Sequence, residues 1–283
     1  MDRRSQRTAS LAAGLVFAAH AASAAVITDG HLSLTVTESG RFHAISLNGT
    51  IVEAELIVQQ QFGSDWAFEN GILGEVSPDG TSFTYTATAH DEDLLVDVTT
   101  TILGPLAGSP ADTGVLEQVF EFTNVSVASI ALTTNSFLDP DLAGPGGSFG
   151  ETVDFDPLTR SIFVSDGPLL LAAIADEAGG VLGWEIGQAG AVSLAYSGLS
   201  NNDGPHGPDS VHMAIGLDGG ALAPLASHTF RFRYLFSTGS LSQPPAEFSF
   251  VPEPASASLV AAGLAALAAR RRRQRIVRDP NDA

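Results

Sequence analysis

Four aspartates stand in two spaced pairs, Asp139 and Asp141 in LDPDL and Asp154 and Asp156 in DFDP. Within each pair the two carboxyls share one side of an extended chain. Carboxyls held ~5–9 Å apart suit acid/base work on a glycoside, one protonating the leaving oxygen and the other attacking or activating water. The same oxygens suit Ca²⁺, which takes ~6–8 of them. An aspartate before proline also ends a strand and opens a turn, a use that needs no ligand. The pairs flank the glycine-rich AGPGGSFG, so the chain is able to fold one toward the other. Two more polar stretches carry similar groups. His90–Asp93, HDED, is expected at a hairpin tip, where charge is ordinarily solvated. SNNDGPHGPDS offers Asn201, Asn202, Asp203, His206 and Asp209. It lacks the glutamate that closes a calcium-binding loop, and its glycines and prolines read equally well as a surface loop. Asp139, Asp141, Asp154, Asp156 and Asp203 are thus the calcium candidates. No other cofactor is expected.

Most other chemistries lack their residues. There is no cysteine, which removes thiol catalysis and thiolate metal sites. No HExxH occurs, and no glycine-rich loop leads from a strand into a helix, so nucleotide binding is not expected. Residues 25–251 contain four arginines, Arg41, Arg160, Arg231 and Arg233, against 28 acidic residues, a formal charge of −24. Such a surface repels nucleic acid. Trp66, Trp184, Phe62 and Phe68 are the large aromatics that would stack on sugar rings or fill a core. The protein is read as having no catalytic activity, with no catalytic residue assigned.

The elements that must carry these groups alternate with period two. Leu32, Leu34 and Val36 share a face, as do Phe83, Tyr85, Ala87 and Ala89. So do Leu94, Val96, Val98, Thr100 and Ile102, and so do Val211, Met213, Ile215 and Leu217. In TFRFRYLF, Phe230, Phe232, Tyr234 and Phe236 oppose Arg231 and Arg233. These are half-buried antiparallel strands. Turns are expected at Asn48-Gly49, Pro78-Asp79-Gly80 and Asp218-Gly219-Gly220, with long loops at 104–114, 139–150 and 199–210. The fold class is all-β, a large antiparallel β-sandwich over residues 25–237 with a linker at 238–250.

The two ends are of a different kind. Arg3, Arg4 and Arg7 precede an apolar stretch and the small residues Ala22-Ser23-Ala24, the pattern of a signal peptide, residues 1–24, with a short apolar helix. Cleavage after Ala24 leaves Ala25 first. At the other end Pro252-Glu253-Pro254 precedes an apolar run through Ala255, Leu259, Leu264, Leu267 and Ala269. Arg270, Arg271, Arg272, Arg273 and Arg275 follow, then a tail at 276–283. As a helix, 255–269 covers roughly 22 Å against ~30 Å of hydrocarbon, which suits a transient transmembrane hold. The arginines belong on the cytoplasmic side, which places the body outside. The prolines hold the segment before the helix extended, the form a protease binds.

Residues 251–275 resemble the PEP-CTERM sorting signal of Gram-negative bacteria: a Pro-Glu-Pro motif, an apolar helix and a basic cluster. The resemblance implies processing by an exosortase, a membrane-embedded protease, near Pro252-Glu253-Pro254. It also implies passage through the inner membrane, a membrane-held stage, and a final place at the cell surface or outside, in bacteria that make exopolysaccharide. The order VLEQVFEFTNVSVASIAL, FLDPDLAG, GSFGETVDFDP and FRFRYLF is similar to the supersandwich of galactose-mutarotase-like proteins. The leading expectation is an exported matrix or surface β-sandwich associated with exopolysaccharide. A carbohydrate-binding module and a glycoside-processing enzyme using a pair such as Asp139 and Asp154 stand as alternatives.

Overall fold

The computed structural model describes residues 24–250 except 38–41, 57–58, 63–64, 67–68, 90–91, 106–110, 139, 141, 143–149, 158, 177–180, 189–198, 200, 202–203, 240, 246–247 and 249. Strands β1 (Ala24–Thr28), β2 (Leu32–Thr37), β3 (Phe42–Leu47) and β4 (Thr50–Leu56) form a four-stranded sheet in sequence order. The second sheet has eight strands in the order β12-β13-β14-β17-β10-β9-β8-β7. They are β7 (Glu69–Val76), β8 (Ser82–Ala89), β9 (Leu94–Gly104), β10 (Thr113–Asn124), β12 (Thr152–Asp156), β13 (Ser161–Asp166), β14 (Leu169–Ala175) and β17 (Ser227–Ser237). The third runs β15-β16-β11-β5-β6, from β5 (Gln59–Phe62), β6 (Asp65–Trp66), β11 (Ile130–Leu138), β15 (Val181–Gln188) and β16 (Val211–Leu222). Neighbouring strands in the described sheets pair antiparallel. The expected signal helix and C-terminal transmembrane helix fall outside the described residues. Among the described residues no helix is long and apolar enough to cross a membrane.

One apolar core joins the three sheets, with Leu32, Leu34 and Val36 from the first, Phe83 to Phe236 from the second and Ile130 to Leu217 from the third. Every residue of the alternating sets named above is buried. The β17 ladder is aromatic: Phe120 meets Phe232 edge-on at 5.7 Å, and Phe122 meets Phe230 at 5.6 Å. On the opposite face Arg233 Nε donates to Glu117 Oε2 at 2.9 Å, across the β10–β17 register. Being partly exposed, the pair adds no more than about 1 kcal/mol. Asn48 (φ 51°) and Gly49 (φ 76°) both take positive φ between β3 and β4, the two-residue turn that matches strand twist.

Asp218-Gly219-Gly220 corrects an expectation: it is no turn. β16 continues to Leu222, and the register steps from Thr133↔Asp218 to Leu132↔Gly220, leaving Gly219 as the extra residue of a bulge. Asp218 Oδ1 accepts the Gly220 N–H at 2.7 Å, the same aspartate chemistry that makes turns. The described residues of 238–250 pack as a strap on the body, with Phe248 buried against Val115, Leu170, Ala172, Ile174 and Leu235 on the outer face of the eight-stranded sheet. That face explains β14, whose seven residues LLLAAIA are all buried.

Burial holds two phenols neutral. It pushes Tyr85 up to about 12, and it raises Tyr234 as well, whose hydroxyl donates to Gln118 Oε1 at 3.3 Å. A raised folded pKa favours the fold while the unfolded phenol is still protonated, below pH ~10, and this contribution is lost as pH rises through about 12. We expect the melting temperature to be level up to about pH 9.5 and then to fall steeply. Tyr85→Phe should flatten that fall. An alkaline limb unchanged by this substitution would refute the assignment.

Candidate functional site

Five of the polar residues singled out above, Asp154, Asp156, Asn201, His206 and Asp209, lie where the open edges of two sheets meet. β12 ends the eight-stranded sheet and β15 ends the five-stranded one. Phe155 of β12 lies flat on Trp184 of β15, with centroids 4.0 Å apart and an interplanar angle of 9°. Both rings are partly buried against the core. The 199–210 loop then clasps the two edges together. Asn201 donates its backbone N–H to Trp184 O at 2.8 Å, and its Oδ1 accepts the Trp184 N–H at 2.9 Å. His206 exchanges two backbone bonds with Val153, each 2.9 Å, and the Asp209 N–H donates to Glu151 O at 3.0 Å. Gly207 makes this close approach possible. Its φ is +124°, and a Cβ there would stand 2.3 Å from Glu151 O.

Glu151 was missed by the sequence reading, and it bonds to Leu142 across the glycine-rich run. Its side chain is fully buried, and Oε1 accepts the Leu142 N–H at 2.7 Å. Leu142 and Glu151, on either side of the glycine-rich run, are thereby brought together. A buried glutamate closing a glycine-rich run is the signal that would have found it.

The structure accounts for the predicted residues individually. Asp154 Oδ1 accepts the Phe155 N–H at 2.8 Å. Asp156 Oδ2 accepts from Thr159 Oγ1 at 2.8 Å, and that hydroxyl lies 2.7 Å from Ser161 Oγ. Both carboxyls are half-buried and serve local hydrogen bonds. Asp139, Asp141, Asp203, Asn202, His90 and Phe68 lie outside the described residues. Phe62 and Trp66 fall in the paired strands β5 and β6. Among the described residues no group of three or more His, Asp or Glu is arranged to hold a metal ion. Ala24 and Ala25 open β1, paired with Thr37 and Val36. Ala22, the motif Pro252-Glu253-Pro254, the apolar run from Ala255 to Ala269 and the arginines from Arg270 to Arg275 lie outside the described residues.

The chain's body is an antiparallel β-sandwich. It is similar to a bacterial glucoamylase solved with acarbose, at 12% identity and a TM-score of 0.54, covering 76% of this chain and 32% of that one. The chain thus spans about a third of that protein. It is also similar to a putative aldose 1-epimerase of Escherichia coli K12, at 10% identity and a TM-score of 0.45, covering 76% and 99%. A third similar structure is a GalM/aldose epimerase homologue of C. elegans, at 9% identity and a TM-score of 0.45, covering 77% and 99%. These likenesses concern the fold alone. No curated protein matches the sequence. The PEP-CTERM protein-sorting motif matches residues 250–273. That motif implies export, anchoring by the C-terminus before cleavage, and processing by an exosortase.

Proposed function

We propose that the protein is an exported surface or matrix component that an exosortase trims and that associates with exopolysaccharide, without catalysis of its own. The sorting motif at 250–273 carries this reading. The clasp supports the non-catalytic part, because Asp154 accepts from the next backbone N–H in β12 and Asp156 from the Thr159 hydroxyl just beyond it. A −24 body suits a hydrated, self-repelling matrix component.

The test is Glu253→Ala in a host with and without an exosortase. If Pro252-Glu253-Pro254 is the recognition element, the variant is exported but stays membrane-held, with its C-terminal peptide intact, while the wild type is released. A simple membrane anchor predicts no difference between the two. Wild-type protein that leaves the cell equally with and without exopolysaccharide synthesis would remove the matrix part of the proposal.

A further inference from the structure

Two neighbouring facts concern the join between body and tail. The β body does not end at Ser237. The Thr238 N–H donates to Asp112 O at 3.1 Å, and the strap then crosses the outer face of the eight-stranded sheet. Phe248 is its anchor, fully buried, and its N–H donates to Pro245 O at 2.9 Å. Phe250 is the last described residue. It packs against the same apolar cluster and lies under the Arg233 guanidinium, 4.4 Å from the ring centroid. Arg233 is itself held by Glu117 at 2.9 Å, so the cation over the ring is fixed in place. Phe250 is the first residue of the matched sorting motif, and its Pro-Glu-Pro element begins two residues later, at Pro252.

The geometry of the tether follows. Four residues, 251–254, separate Phe250 from the start of the apolar run at Ala255. Fully extended, four residues reach roughly 14 Å. A free segment from 238 to 254 would reach about 58 Å. A folded body of this length has a radius of gyration of roughly 17 Å, larger than the docked tether. With the strap docked, the body therefore rests over the membrane patch where the motif emerges and crowds a protease embedded there. Phe248, deep in its pocket, is the costly contact to break. Phe250, half-buried and held by one cation–π contact, is the one that opens first.

We infer that Phe250, seated against Arg233, is a positioning residue that clamps the sorting motif to the folded body and so limits the rate of its cleavage. The inference rests on the exosortase reading above. Release of Phe250 lengthens the tether without unfolding the sheet, and the protease gains access to Pro252-Glu253-Pro254.

The experiment follows release of the full chain over time in an exosortase host, for wild type, Glu253→Ala, Phe250→Ala, Phe250→Tyr and a chain with eight Gly/Ser residues inserted after Phe250. Melting temperatures of the variants check that the body is intact. We expect Phe250→Ala and the insertion to be cut roughly 2–5-fold faster than wild type, since breaking one partly exposed cation–π contact shifts the docking equilibrium by about that factor. Phe250→Tyr keeps a ring under Arg233 and should be cut at the wild-type rate. If wild type is cut, Glu253→Ala is not, and both Phe250→Ala and the insertion match or fall below the wild-type rate, the clamp is refuted while the sorting reading stands. If wild type is not cut at all, the sorting reading fails, and the clamp fails with it.

Discussion

Asn124→Asp is expected to lower the melting temperature by roughly 6–20 °C at neutral pH. Asn124 is fully buried at the end of β10 and uses its whole amide. Nδ2 donates to Ala128 O at 2.7 Å and to Leu222 O at 2.8 Å, while Oδ1 accepts from the Ser126 N–H at 2.9 Å and from Ser126 Oγ at 2.8 Å. These four bonds join the β10–β11 corner to the end of β16. Aspartate has nearly the same shape but turns both donors into an oxygen facing two carbonyls, and it places a charge where water does not reach. A buried charge left without a partner costs about 3–5 kcal/mol. A chain of this size loses roughly 2–4 °C per kcal/mol. The pH dependence has a defined sign. Burial raises the folded-state pKa of the new carboxyl above its unfolded value near 3.9, so the penalty is full at neutral pH and shrinks as pH falls toward 4. Asn124→Ala should be destabilising with no such recovery. A melt of Asn124→Asp within 2 °C of wild type at pH 7 would show that the corner does not depend on this amide.

Phe248→Ala should cost about 3–5 kcal/mol, the usual loss for a buried phenylalanine in a packed site. A loosely tethered linker would predict no change. The ring fills the outer face over Val115, Leu170, Ala172, Ile174 and Leu235, and all five are buried. Ending the chain at Thr238 goes further, because it uncovers that apolar surface on strands central to the eight-stranded sheet. An exposed apolar patch of this kind drives self-association. We expect the truncated body to bind a hydrophobic dye and to form dimers or larger species by light scattering, whereas a chain ending at Phe250 stays monomeric. Urea unfolding of Phe248→Ala with an unchanged midpoint would refute the strap's structural role.

The strand pattern was legible wherever one face meets the core and the other meets water. β17 shows it best, with four aromatics alternating against two arginines. β14 was not legible, since a strand buried on both faces has no alternation to read, and its second cover arrives from a segment more than sixty residues later in the chain. Asp218-Gly219-Gly220 read as a turn because an aspartate accepting a nearby backbone N–H serves turns and bulges alike. The clasp was legible only in its parts. The loop, Trp184 and the aspartates each stood out, but nothing local relates Phe155 to Trp184 or His206 to Val153.

The amino-acid sequence by itself determined the all-β class, the acidic body and the sorting motif at its C-terminus. Those properties reside in residue type, period and short spacing, which need no partner from elsewhere in the chain. Only the tertiary structure decided that Asp154 and Asp156 serve local hydrogen bonds at a sandwich edge, that Glu151 bonds to Leu142, and that Leu241, Phe248 and Phe250 pack on the sheet. Each depends on which strands become edges and which faces remain uncovered. That outcome is set by long-range pairing of β12, β14, β15 and β17, whose register no local pattern encodes.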